Sequence, residues 1–184
     1  MTVQEFRERM ADPMTIGGGS ELHLAFHQFS QEALRITAEI NGSYHTPEQL
    51  QALLSELWAI DVPESFGMFP PFYTDCGKNT HIGERVFINM GCKFQDQGGI
   101  YIDDDALIGH NATLCTLNHV QDPAQRASME HAPIHIGKRV WLGAHVTFPC
   151  RCDDRRQCHR RCRSRRNQRC PCQHHRRWQS RQTD

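Results

Sequence analysis

Between Ile82 and Val146 the aliphatic and aromatic residues recur with a period of six. The inward positions read Cys76, Ile82, Ile88 and Phe94, then after a slip of two residues Ile102, Ile108 and Leu114, and after a longer excursion Ile136, Leu142 and Phe148. A helix repeats every 3.6 residues and an ordinary strand every two, so neither lines these side chains up on one surface. Several are followed at once by Gly, Asn or Asp, and a small or β-branched residue stands four places on at Val86, Ala106, Ala112, Val140 and Val146. Three six-residue faces close one triangular coil of parallel β-helix, in which each short strand fills the interior with one residue and turns on a small or polar one. The expected fold is therefore mainly β. Each coil buries its face only against the coils about 4.8 Å above and below, so both ends need a cap.

Residues 1–60 read as a helical N-terminal cap. Residues 3–11 suggest a short helix, broken by Asp12-Pro13 and by Gly17-Gly18-Gly19. Ser20 offers an N-cap to a helix of about 20 residues whose apolar stripe is Leu22, Phe26, Phe29, Ala33, Ile36 and Ile40, stopped by Asn41-Gly42. Thr46-Pro47-Glu48-Gln49 then spells a capping box with proline at the first helical position, and Leu50, Leu53, Leu54 and Leu57 supply the buried face. Residues 61–72 form a connector rich in proline and aromatic residues, and coils occupy 73–148. Leu114 and Ile136 are 22 residues apart, four more than a multiple of six, so a loop is expected at 115–133. A polar excursion of that length in a compact domain is usually functional.

The formal net charge of zero hides a division. Residues 149–184 hold twelve basic residues against three acidic ones, which leaves this tail at +9 and the rest of the chain at −9. Six of the nine cysteines also lie there, so Cys76, Cys92 and Cys115 stand isolated in the body and read as reduced, packed thiols. No stretch of 18 apolar residues occurs, and residues 1–19 lack the layout of a signal peptide. A cytoplasmic protein without membrane contact is the expectation.

Pro71-Phe72-Tyr73-Thr74-Asp75-Cys76-Gly77-Lys78-Asn79, Phe87-Ile88-Asn89, Thr116-Leu117-Asn118-His119, Pro133-Ile134-His135-Ile136-Gly137 and Val140-Trp141-Leu142-Gly143-Ala144 follow one another in this order. Together they resemble the hexapeptide-repeat sugar O-acetyltransferases, the maltose and galactoside acetyltransferase family. The resemblance implies a left-handed parallel β-helix, a homotrimer with three sites between subunits, and transfer of an acetyl group from acetyl-CoA to a hydroxyl of a sugar or similar small acceptor. It places the catalytic histidine at His119 and the substrate-orienting asparagine at Asn89. Acceptor contacts would fall at Asp75, Phe87, Asp96 and Met129, and the acetyl-CoA channel at Trp141, Gly143 and Ala144. The residue types suit the chemistry: a neutral imidazole can take the proton of a poorly nucleophilic hydroxyl, and an amide can steady the developing oxyanion, with no metal required.

The sequence also departs from that pattern. The family's N-terminal segment commonly carries a Tyr and an Asp that reach the sugar, a pattern residues 1–45 do not match, and the aspartate often found eight residues after the asparagine is Gln97 here, with Asp96 beside it.

The tail does not suit the family at all. Residues 149–184 contain no Ala, Val, Ile, Leu, Met or Gly and cannot fill a coil, so no packed structure is expected of them. Back-translated and read from the second base of each codon, they permit the family's usual ending, with aliphatic residues at positions 154, 160 and 166 in step with 136, 142 and 148. A frame-shifted C-terminus from about residue 148 is the expectation. Taken at face value the tail would be a basic arm, with Cys150, Cys152, Cys158, Cys162, Cys170, Cys172, His174 and His175 open to zinc or to nucleic acid. Two further readings stay open: an inactive β-helix protein that lacks its C-terminal coils, and a non-catalytic scaffold binding metal through His81, His110, His119, His131, His135 or His145.

Overall fold

The computed structural model describes residues 1–149. The expectations for 149–184, namely the frame-shifted ending and the zinc and nucleic-acid contacts, therefore fall outside the described residues apart from Pro149.

Three helices come first: α1 (Val3–Arg9), α2 (Glu21–Gly42) and α3 (Pro47–Trp58). Each starts on a side-chain cap: Thr2 and Thr46 form capping boxes with Glu5 and Gln49, and Ser20 accepts from the His23 amide. These contacts satisfy amides that a helix start leaves unpaired. A two-residue strand that the sequence did not suggest, β1 (Thr15–Ile16), lies between α1 and α2.

The coils follow as β2 (Gly67–Met68), β3 (Phe72–Thr74), β4 (Thr80–Ile82), β5 (Phe87–Ile88), β6 (Cys92–Gln95), β7 (Ile100–Ile102), β8 (Leu107–Ile108) and β9 (Thr113–Cys115). An antiparallel excursion, β10 (Leu117–His119) and β11 (Met129–His131), interrupts them, and β12 (Ile134–Ile136), β13 (Trp141–Leu142) and β14 (Thr147–Phe148) resume. Three parallel sheets result, in the orders β2-β5-β8-β13, β3-β6-β9-β14 and β4-β7-β12. Their registers stack Met68, Ile88, Ile108 and Leu142 in one column, Thr74, Phe94, Leu114 and Phe148 in a second, and Ile82, Ile102 and Ile136 in a third. These columns form the interior, and Ile88, Phe94, Ile108 and Leu114 are at most 1% exposed.

One inward assignment changes. Cys76 is buried, but its neighbours are the side chains of a second cluster with Phe6, Met10, Phe26 and Phe29, while Thr74 holds the register opposite Phe94. The cause is that one corner is longer than the other two. From the second column to the third the chain takes eight residues between Thr74 and Ile82, eight between Phe94 and Ile102, and 22 between Leu114 and Ile136. Counting sixes backward from Ile82 therefore lands inside a corner rather than in a strand. All three insertions stack along one edge of the prism, and the long one carries the β10–β11 hairpin.

The cap divides its packing between two places. Ala33, Ile36 and Ile40 of α2 join Leu54, Leu57 and Trp58 of α3 over the first coil, in one core with Met68, Phe72 and Phe94. Trp58 meets Phe72 edge-on at 5.9 Å, and Phe72 meets Phe94 edge-on at 5.0 Å, so aromatic contacts run from cap to second coil. The earlier half of α2 (Leu22, Ala25, Phe26, Phe29) and Phe6 of α1 instead pack under the hairpin with Leu117 and Met129. An apolar stripe too long for the end of one coil thus also supports the excursion.

Candidate active site

The long-corner hairpin is built from its base upward. Thr116 donates its amide to the Gln95 carbonyl at 2.9 Å, and its hydroxyl accepts from the Gly98 amide at 2.8 Å, so the hairpin leaves the third coil from a joint tied to the second. Leu117 pairs with His131, Asn118 with Glu130 and His119 with Met129. On the far side β1 pairs with β11, placing Ile16 opposite Met129. Ile16, Met129 and His119 thus form one row across a three-stranded sheet; the first two are buried and the imidazole is exposed.

Beyond His119 the chain turns through Asp122, whose carboxylate caps a 3-10 turn at Pro123–Gln125 by accepting from the Ala124 amide at 2.9 Å. Arg126 follows, and its carbonyl oxygen lies 2.8 Å from His119 Nδ1. A backbone carbonyl can only accept, so in the neutral ring the hydrogen sits on Nδ1 and the lone pair on Nε2. Arg126 is held in turn, its guanidinium donating to the Gln121 carbonyl at 2.6 Å. The exposed imidazole therefore has its orientation and tautomer set by main chain seven residues away.

Asp75 and Asp96 sit at the same edge but differ in kind. Asp96 is 0% exposed and accepts from the hydroxyls of Thr74 (2.7 Å) and Thr80 (2.8 Å) and from the amides of Cys76 and Gly77 (both 3.1 Å). Its oxygens are spent on shaping the first short corner, which differs from the acceptor contact expected of it. Asp75 is exposed. Although the residue as a whole reaches solvent, protein atoms crowd its carboxyl; that desolvation, and then the Asp96 carboxylate, raise its pKa above the usual carboxylate value, opposed by a hydrogen bond from the Gln97 side chain. Asp75 also lines a cavity of about 390 Å³ with Tyr73, Lys93, Thr113 and Cys115, roofed by Leu34 and Thr37 of α2. Met129, expected to touch the acceptor, is 9% exposed and belongs to the apolar support of the hairpin.

The remaining candidates occupy a different edge. Phe87, Leu107 and Trp141 form an outward ladder on the first sheet, with Trp141 77% exposed and Phe87 edge-on to Phe69 at 5.0 Å. Asn89 follows Ile88 at the end of that face, its amide donating to the Ile108 carbonyl at 2.9 Å. Gly143 and Ala144 stand at the same turn two rungs further on, since Leu142 and Ile108 are in register, as are Ile108 and Ile88. Asn89, Phe87, Trp141, Gly143 and Ala144 are thus brought together at one edge, and His119, Met129, Asp75 and Asp96 at another. The spacing of residues left unmarked Ile16, Gln95 and the Arg126 carbonyl: the carbonyl meets the His119 ring, Ile16 backs the hairpin at Met129, and Gln95 anchors its base at Thr116.

No protein-family profile matches the chain. Among curated proteins it is 32% identical to a galactoside O-acetyltransferase of Lactococcus lactis over 120 residues, which cover 63% of this chain and 58% of the relative. The chain spans little more than half the length of the curated relatives it matches. Its fold superposes on a maltose O-acetyltransferase from Clostridium difficile with a TM-score of 0.68 and 25% identity, over 78% of this chain and 76% of the other. A hexapeptide-repeat-containing acetyltransferase from Vibrio cholerae, solved with acetyl coenzyme A, gives 0.64 and 29%, over 82% and 79%. Across its cap and coils the chain carries the fold of these hexapeptide-repeat acetyltransferases, a left-handed parallel β-helix behind a helical cap.

Proposed function

We propose that the protein transfers an acetyl group from acetyl-CoA to a hydroxyl of a sugar or similar small acceptor, with His119 as general base. The observation that carries this reading is the 2.8 Å contact between His119 Nδ1 and the Arg126 carbonyl, which in the neutral ring puts the lone pair on Nε2 of an exposed side chain. Nε2 takes the hydroxyl proton as the oxygen attacks the thioester carbonyl; the tetrahedral intermediate then expels the thiolate of CoA, which takes that proton from the imidazolium. The side-chain amide of Asn89 donates to the developing oxyanion. Trp141, Gly143 and Ala144 would line the acetyl-CoA channel, and Asp75 and Phe87 would meet the acceptor. Two relatives named for sugar acetylation, and a neighbour solved with acetyl-CoA, support this assignment.

The two groups of residues lie on different edges of the prism, separated by a face about six residues wide, or roughly 20 Å at strand rise. A site containing both His119 and Asn89 would therefore draw them from two copies, which supports a homotrimer with three shared sites. No helix among the described residues is long and apolar enough to cross a membrane, and we place the activity in the cytoplasm.

The test is release of free CoA thiol from acetyl-CoA in the presence of a panel of galactosides, maltose and other polyols. Acceptor-dependent release, cut about 10²- to 10⁴-fold by His119→Ala, is expected. No release with any acceptor, or an undiminished variant, would overturn the reading.

A further inference from the structure

The segment between α1 and α2 is bound to the excursion at each end and in its middle. The Met14 amide donates to His131 Nε2 at 3.3 Å. Thr15 and Ile16 pair with Glu130 and Met129. Gly18 lies flat against Ala127: a Cβ added there would come within 2.8 Å of the Ala127 carbonyl oxygen and 3.0 Å of its Cβ. Ala127 directly follows Arg126, whose carbonyl holds the His119 ring. The segment itself is anchored behind Gly18 by a turn in which the Ser20 amide donates to the Gly17 carbonyl at 3.1 Å and Gly19 has φ +78°. Ser20 then caps α2.

We propose that residues 14–18 are a strap that positions the His119 imidazole, with Gly18 acting through the Ala127–Arg126 main chain. Any side chain at Gly18 pushes on backbone, which cannot swing aside as a side chain would. Either the Arg126 carbonyl moves off Nδ1 or the strap lifts from β11. In the first case the ring loses the acceptor that selects its tautomer; in the second the hairpin loses the edge strand that backs that turn, and in either the share of rings with a lone pair on Nε2 falls. Gly18 is a positioning residue: it touches no reacting atom. The catalytic consequence rests on the proposed role of His119, while the structural one does not.

Long-range proton–nitrogen spectra of the full chain with nitrogen-15-labelled histidine read the tautomer directly, with His119→Ala to assign the ring. In the unaltered chain, above the pH at which the ring titrates, Nδ1 should be protonated and Nε2 bare. Gly18→Ala should draw the two nitrogen shifts toward each other, whereas Gly17→Ala, with nothing within 4 Å of its added carbon, should leave them in place. Met14→Pro deletes the amide that donates to His131 without touching the hairpin, and should reproduce the Gly18→Ala spectrum. It serves as the second variant should Gly18→Ala not fold. In turnover assays Gly18→Ala should lower kcat about 10-fold at unchanged KM for acetyl-CoA, and it should have no further effect in a His119→Ala background. Unchanged ring nitrogens in both strap variants would overturn the proposal. A shifted tautomer in a chain that never turned over would retain the strap and reject the transferase reading.

Discussion

The hydroxyl of Thr74 donates to the carboxylate of Asp96 at 2.7 Å, joining the end of β3 to a corner 22 residues later in the chain. The same carboxylate collects three more donors and is sealed from solvent. Asp96→Ala would strand two hydroxyls and two amides in the interior, and we expect a loss of about 3 kcal/mol. Urea unfolding of the two proteins measures it; a difference below about 1 kcal/mol would mean that water replaces the carboxylate at little cost.

Lys78 is a buried cation whose ammonium lies 2.9 Å from a Glu32 carboxylate oxygen and 2.9 Å from the Glu56 carbonyl, tying the first corner to α2 and α3. Glu32→Ala leaves that charge with a single carbonyl partner and should cost about 2 kcal/mol. Glu21→Ala breaks the exposed pair with Arg9 and should cost under about 0.5 kcal/mol. Equal unfolding midpoints for the two variants would contradict the difference.

His81 stacks on Tyr101 at 4.6 Å, and Tyr101 on His135 at 4.7 Å, in an outward ladder on the third sheet. Burial, and then the charge of Arg7, lower the His81 pKa from 6.5 to about 4. Between these values the unfolded chain binds a proton that the folded chain does not, so this residue favours unfolding as pH falls from 6.5 toward 4. This destabilisation is absent above 6.5 and complete only below about 4. Unfolding midpoints followed across that window should fall less steeply in His81→Gln than in the unaltered chain; parallel slopes would exclude His81 as the source.

Among the described residues β12, β13 and β14 are the outermost strands of their sheets, each with one neighbour. If residues 149–184 are a displaced reading frame, re-encoding them in the other frame supplies further coils over these edges. The re-encoded protein should then bind acetyl-CoA more tightly by calorimetry than the chain with its Arg- and Cys-rich ending, and equal micromolar affinities would refute the displaced frame as a functional lesion.

Ile88, Phe94, Ile108 and Leu114 were legible because stacking allows one inward residue per short strand, and six is the period that provides it. Cys76 was not, because an eight-residue corner preserves the appearance of a six-residue step when it is counted from its far side. The helix starts at Ser20 and Thr46 could be read from local hydrogen-bonding chemistry, which needs only three following residues. Thr15 and Ile16 could not be read as a strand: they stand between Pro13 and Gly17, and their partners Glu130 and Met129 lie over 100 residues away. Asp96 shows the limit for site residues, since a carboxylate folded into a corner and one offered to a ligand look alike in a sequence. The position of His119 in the one long corner was visible, whereas the Arg126 carbonyl that sets its tautomer is main chain and leaves no mark on residue type.

A site made by two copies, His119 from one and Asn89 from its neighbour, is the arrangement on which the proposed chemistry depends most. His119→Ala and Asn89→Ala should each be inactive as pure proteins. Unfolded together in equal amounts and refolded, they should regain about one quarter of the unaltered activity, because random assortment in a ring leaves that share of interfaces with both residues intact. Activity in the mixture no higher than in either variant alone would contradict a shared site.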